Sequence, residues 1–179
     1  MVELLKSDKV GYVTFKFINK LTNKLNTCEF SVKTSIPGLY PAIRNIIECF
    51  DENGIEIHNY SDEQDRVFQK NLLTLIKEVT EFLGSYKQIK GLDKKELLIL
   101  LIIDIYSTEV NNLEKLTQES KYFLTSDIIL EIFQDIISKT VVSVLMFKDI
   151  VNETFSSMEH SNCFFSWCLP RSKKKKYLK

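Results

Sequence analysis

Little in this sequence punctuates the chain: 179 residues contain only three prolines and five glycines. That excludes long Pro- or Gly-rich linkers and favours regular elements joined by short connections. Nothing approaches the ~20 apolar residues a membrane-spanning helix requires. The opening, MVELLKSDK, lacks the apolar core of a secretory signal, so the chain is not expected to be secreted. The four cysteines, Cys28, Cys49, Cys163 and Cys168, are read as free thiols in a reducing compartment. There is no phosphate-binding G-x-x-x-x-G-K, no G-x-G-x-x-G and no G-x-S-x-G. These absences lower the expectation of an enzyme without excluding one of unrecognised type; no enzyme, cofactor or small-molecule substrate is expected.

A balanced charge is also misleading. Lysine and arginine number 24, as do aspartate and glutamate. The last nine residues, RSKKKKYLK, hold six of the positive charges and none of the negative ones. Without them the chain has 18 basic and 24 acidic residues and stands at −6. Tail and body are thus electrically separate.

What is there is organised around Leu92 to Tyr106, LDKKELLILLIIDIY. Residues 97–103 are apolar without interruption, which predicts a helix buried on most sides within a helical core. Both Leu100 and Leu101 are expected to be buried. Asp93 reads as the N-cap, with Glu96 completing a capping box and Leu92 stapled to Leu97. The helix is expected to end near Tyr106–Ser107, where the sequence turns polar.

Before this helix, residues 10–34 predict a β-hairpin. Val13, Phe15 and Phe17 alternate with Thr14 and Lys16; Cys28, Phe30 and Val32 alternate with Glu29, Ser31 and Lys33. Pro41 suits the first position of a short helix over 41–50, carrying Ile43, Ile46, Ile47 and Phe50 inward. Ile55–His58 reads as a further strand. Residues 60–69 form a polar seam, and from Val67 a helical stripe follows: Phe68, Leu72, Leu75, Ile76, Val79, Phe82, Leu83 and Tyr86. Residues 107–124 read as a loop with a short helical piece. Thr125 or Ser126 caps a last long helix reaching about residue 154, with Ile128, Ile129, Ile132, Phe133, Ile136, Ile137, Val141, Val144 and Leu145 on its stripe.

The expected fold class is α+β. A small β-β-α-β part over 1–60 precedes a mainly antiparallel helical bundle over 61–155 and an aromatic, cysteine-containing and basic segment over 156–179.

Few residues carry chemistry. His160, Cys163 and Cys168 have zinc-ligand types, but only three of the four ligands a structural site takes, so free thiols are the expectation. Asp104, Asp127, Glu131 and Asp135 show no converging partners and read as a solvated face. His58 falls on the exposed side of its strand pattern. The C-terminal run reads in three ways: a solvated, unstructured end, a contact for an anionic surface, or a nuclear-type address. The anionic surface is an acidic protein, lipid headgroups or nucleic acid. Phe164, Phe165 and Trp167 stand before Arg171, Lys173, Lys174, Lys175, Lys176 and Lys179, an apolar patch beside a polybasic one. These nine are the expected interaction residues.

Residues 72–140 carry a resemblance. LLTLIKEVTEFLGSYKQIKGLDKKELLILLIIDIYS followed by TSDIILEIFQDIISKT resembles small helical virion or minor-capsid-type proteins of large nucleocytoplasmic DNA viruses. The Ile-, Lys- and Asn-rich, Gly-poor composition is similar to that of AT-rich genomes among those viruses. The resemblance is of helices rather than site residues. It implies a non-enzymatic structural or assembly protein whose partners are other protein subunits, located in the virion if viral and otherwise in the cytoplasm or at a membrane periphery. The alternative is a helical adaptor holding a partner helix or host factor in an apolar groove.

Overall fold

The computed structural model describes the backbone of residues 2–5, 9, 11–53 and 62–155, and the side chains of 2–5, 9, 11–50, 63 and 65–144. Its contacts divide the chain into two units, Met1–Lys139 and Thr140–Lys179. The fold class is α+β: an antiparallel sheet comes first and helices follow.

The sheet has β1 (Val2–Leu5), β2 (Tyr12–Ile18) and β3 (Leu25–Ser31) in that order. The hairpin β2–β3 pairs Val13 with Phe30, Phe15 with Cys28 and Phe17 with Asn26. Val13, Phe15 and Phe17 are buried, as their alternation requires. The third strand differs from expectation. It is β1, pairing Val2 with Phe17 and Leu4 with Phe15, so the described elements open β-β-β-α rather than β-β-α-β. Four residues are too few to show an alternation; β1 is defined by the edge of β2 that it pairs with. The expected strand Ile55–His58 lies outside the described residues.

The β2–β3 loop is held from within. The Asn19 side-chain oxygen accepts from the N–H groups of Leu21 at 2.9 Å and Thr22 at 3.3 Å. Asn23 takes φ +52°, a left-handed conformation asparagine tolerates. After β3, Val32 turns into α1 (Val32–Ser35) instead of extending the strand. Its N–H donates to the carbonyl of Gly11 at 3.0 Å, and Gly11 reaches this position with φ +77°.

Helix α2 (Leu39–Asn53) starts two residues earlier than expected, so Pro41 is its third residue rather than its first. First-turn N–H groups have no intrahelical partner, so the ring costs no hydrogen bond there. Ile43, Ile46, Ile47 and Phe50 face the core. Helix α3 (Asp62–Gly84) begins within the stretch expected to be a seam. The acids Glu63 and Asp65 suit the positive end of its dipole. Leu72, Leu75, Ile76, Val79 and Leu83 are buried along its stripe.

Helix α4 (Gly91–Asn112) is the central element, packing against α2, α3, β1 and α5 (Gln118–Leu124). Three details differ from the sequence reading. Its N-cap is Lys90, whose side chain makes no cap hydrogen bond, and Asp93 is the third helical residue. Leu92 is 84% exposed while Leu97 is fully buried, so no staple forms. The helix also runs beyond Tyr106–Ser107. Ser107, Thr108 and Asn111 donate to the carbonyls four residues back, at 3.0, 2.8 and 2.9 Å, and so satisfy their polar groups within the helix.

The apolar run has one wet position: Leu101 is 1% exposed but Leu100 is 36% exposed. Leu101→Ala is expected to destabilise the fold by roughly 2–5 kcal/mol. Leu100→Ala should stay within about 1 kcal/mol, near the range of surface substitutions. Paired urea melts of the two variants check the contrast.

Thr117 caps α5, its hydroxyl accepting from the Ser120 N–H at 3.1 Å. Helix α6 (Asp127–Phe155) follows Ser126, whose carbonyl accepts from the Leu130 N–H. Ile129, Phe133 and Ile137 are buried on its stripe, but Ile128 is 70% exposed and Val144 is also exposed. In residues 1–139 Phe50, Phe68, Tyr106 and Phe133 form one aromatic cluster. Phe15, Phe17, Phe30, Phe82 and Tyr86 form another between the sheet and the end of α3.

Candidate functional site

Two polar arrangements are built into the first unit. The first joins α2 to α4. Tyr40, Arg44 and Glu48 lie four residues apart, on one face of α2 beside its apolar stripe. Arg44 Nε donates to Glu109 Oε2 at 2.9 Å; the Glu109 side chain is 5% exposed and that of Arg44 57%. Lys115 Nζ donates to Glu48 Oε1 at 2.8 Å, with both partners in solvent. Glu109 is the one charged residue buried among the described side chains. The Tyr40 phenol is held above its ordinary value, first by burial and then by the Glu109 carboxylate; Arg44 opposes this and Asp104 adds to it. The phenol therefore keeps its proton, and the carboxylate meets a compensating charge. The chemistry available is that of a clamp fixing α2 against α4.

The second arrangement lies between the sheet and the α3–α4 link. Tyr86 Oη and Cys28 Sγ are 3.1 Å apart. The Tyr86 ring meets Phe15 and Phe82 edge-on, each with centroids 5.4 Å away. Its phenol is pushed well above the ordinary range, first by burial, then by the hydrogen bond to Cys28.

These phenols give a pH prediction. A group whose folded value is raised contributes stability that is complete below its unfolded value and lost as pH rises through the folded value. For tyrosine the unfolded reference is 10.0. Stability is therefore expected to fall as pH climbs past about 10. Tyr86→Phe should make that fall shallower and remove the latest part of the tyrosinate absorbance rise. An absorbance titration in which Tyr86→Phe loses only an early part would contradict the burial argument.

No family model, curated protein or solved structure matches the chain.

The residues singled out in the sequence are mostly not placed. Phe164, Phe165, Trp167, Arg171, Lys173, Lys174, Lys175, Lys176 and Lys179 lie outside the described residues, as do His58, His160, Cys163 and Cys168. Among the described residues no group of three or more His, Cys, Asp or Glu is gathered as a metal site would need. None of their helices is long and apolar enough to cross a membrane. Cys49 is buried in α2. Glu131 and Asp135 are exposed on α6, Asp135 paired with Lys139 one turn on. The sequence reading missed the Arg44–Glu109 pair. The four-residue spacing of Tyr40, Arg44 and Glu48 was visible, but the partner of Arg44 lies 65 residues away on another helix.

Proposed function

We propose that this chain is a non-enzymatic structural or assembly protein, a minor capsid or inner-virion component of a large DNA virus. Its folded unit serves as a scaffold and its C-terminal segment makes the contacts. The observation that carries this reading is the separation of charge: six cations in the last nine residues against a body at −6. A tail of that charge is excluded from an apolar core. Folding back on its own body gains little, because exposed ion pairs contribute at most about 1 kcal/mol each. The acidic body of a neighbouring subunit offers a complementary surface, with Phe164, Phe165 and Trp167 adding apolar area. The resemblance over residues 72–140 supplies the virion setting.

Deletion of residues 171–179 tests this. The melting temperature is expected to stay nearly constant, while self-association measured by light scattering weakens, most at low salt where screening is least. Unfolding of the truncated chain, or association unchanged at every salt concentration, rejects the reading. The adaptor alternative has its own observation: Tyr122, Phe123 and Ile128 expose apolar surface around the turn from α5 to α6. A monomer at all concentrations that binds an amphipathic helix there favours the adaptor.

A further inference from the structure

The body is acidic overall, yet one end of it is basic. The β2–β3 loop carries Lys20 and Lys24 with no carboxylate between Asn19 and Leu25. The start of α4 carries Lys90, Lys94 and Lys95, with Asp93 and Glu96 among them. Two observations bring these segments together. Lys94 feels the charge of Lys20, which with the larger effect of burial holds its ammonium below the ordinary value. Tyr86, just before α4, lies against Phe17 near the loop end of β2. None of the five lysines has a carboxylate partner among the described residues.

Apolar tips stand in the same two segments. Leu21 at the turn of the loop is 89% exposed and Leu92 in the first turn of α4 is 84% exposed. The loop beneath Leu21 is fixed by the Asn19 side chain, so its presentation is built into the fold. Five lysines against two carboxylates, set beside protruding leucines, lack an anionic, apolar counterpart.

We propose that this end of the molecule, the β2–β3 loop with the start of α4, docks onto an anionic lipid surface. Lys20, Lys24, Lys90 and Lys94 face the headgroups while Leu21 and Leu92 enter the acyl boundary. Charge complementarity fixes the sign of the partner, and the leucines fix its class. Side chains that expose nearly all their surface stand clear of the body, which suits a yielding bilayer. Leucine offers neither stacking nor hydrogen bonds to a nucleic acid. Lysines and apolar side chains are the two signals of peripheral attachment. This site is additional to the C-terminal segment and does not depend on it.

The test uses the full chain in flotation assays with vesicles of phosphatidylcholine alone or mixed with phosphatidylserine. The tail is intact in every variant, so its own affinity is a constant background. The wild type is expected to float with the phosphatidylserine vesicles. Lys20→Glu with Lys94→Glu should weaken partitioning roughly tenfold or more. Leu21→Ser with Leu92→Ser should weaken it by a similar factor, since each leucine loses apolar contact with the acyl region. Partitioning unchanged by either pair overturns the proposal and leaves the tail as the binder. Loss with the lysine pair but not the leucine pair, matched by equal loss of binding to a DNA duplex, overturns it in favour of nucleic acid.

Discussion

Phe133→Ala is expected to destabilise residues 1–139 by roughly 3–5 kcal/mol. Phe133 is fully buried, and its ring centroid lies 4.9 Å from Tyr106 and 6.1 Å from Phe50. It meets α4 through the first ring and α2 through the second, crossing Phe50 edge-on at 88°. Removing it takes away apolar burial and leaves a void bounded by two aromatic rings that also meet each other, with centroids 6.2 Å apart. Neither neighbour can relax freely into that void. Phe50 also stacks near Phe68, and the Tyr106 hydroxyl donates to the Leu124 carbonyl at 3.2 Å. Phe133→Leu keeps most of the volume and should cost about 1–1.5 kcal/mol. Chemical denaturation of both variants measures the difference. An alanine variant within about 1 kcal/mol of wild type would mean that the start of α6 does not depend on this cluster.

The cluster is legible in outline in the sequence. Phe50, Phe68 and Phe133 each fall on helical stripes, and Val13, Phe15 and Phe17 alternate as a half-buried strand must. Periodicity reports which face of an element is apolar, and tertiary structure then buries that face. It fails where an element is too short to have a period, as in β1, and where polar residues stay helical through side-chain hydrogen bonds, as Ser107, Thr108 and Asn111 do. It also fails at element ends. Asp93 and Leu92 looked like a cap and a staple, but the helix starts before them, at Gly91. Local pattern alone cannot distinguish a cap from a third residue when a helix-compatible Gly-Leu precedes it. Leu21, Leu92 and Ile128 show a further limit: an apolar residue marks the core only if another element covers it. The polar sites were less legible than the core. Arg44 and Glu109, like Cys28 and Tyr86, meet only because the fold brings distant segments together, and nothing in the spacing of either residue names its partner.

That pair gives the second large effect, and it is asymmetric. Arg44→Ala should destabilise the protein by roughly 2–3 kcal/mol, because it strands a buried carboxylate without its donor. The figure sits below the range for fully buried pairs because the guanidinium is more than half exposed and partly screened by water. Glu109→Gln should cost only about 1 kcal/mol. Its amide oxygen still accepts from Arg44, the buried side chain no longer carries a charge, and the guanidinium is already more than half exposed. The double variant should then be less destabilised than Arg44→Ala alone, since removing the charge relieves the defect that losing the arginine created. A simple additive outcome would show that Glu109 draws no net stabilisation from Arg44. The reverse order, with Glu109→Gln the costlier change, would point to a demand for the carboxylate itself beyond holding α2 to α4. Thermal melts of the two single variants and the double variant at neutral pH decide between these outcomes.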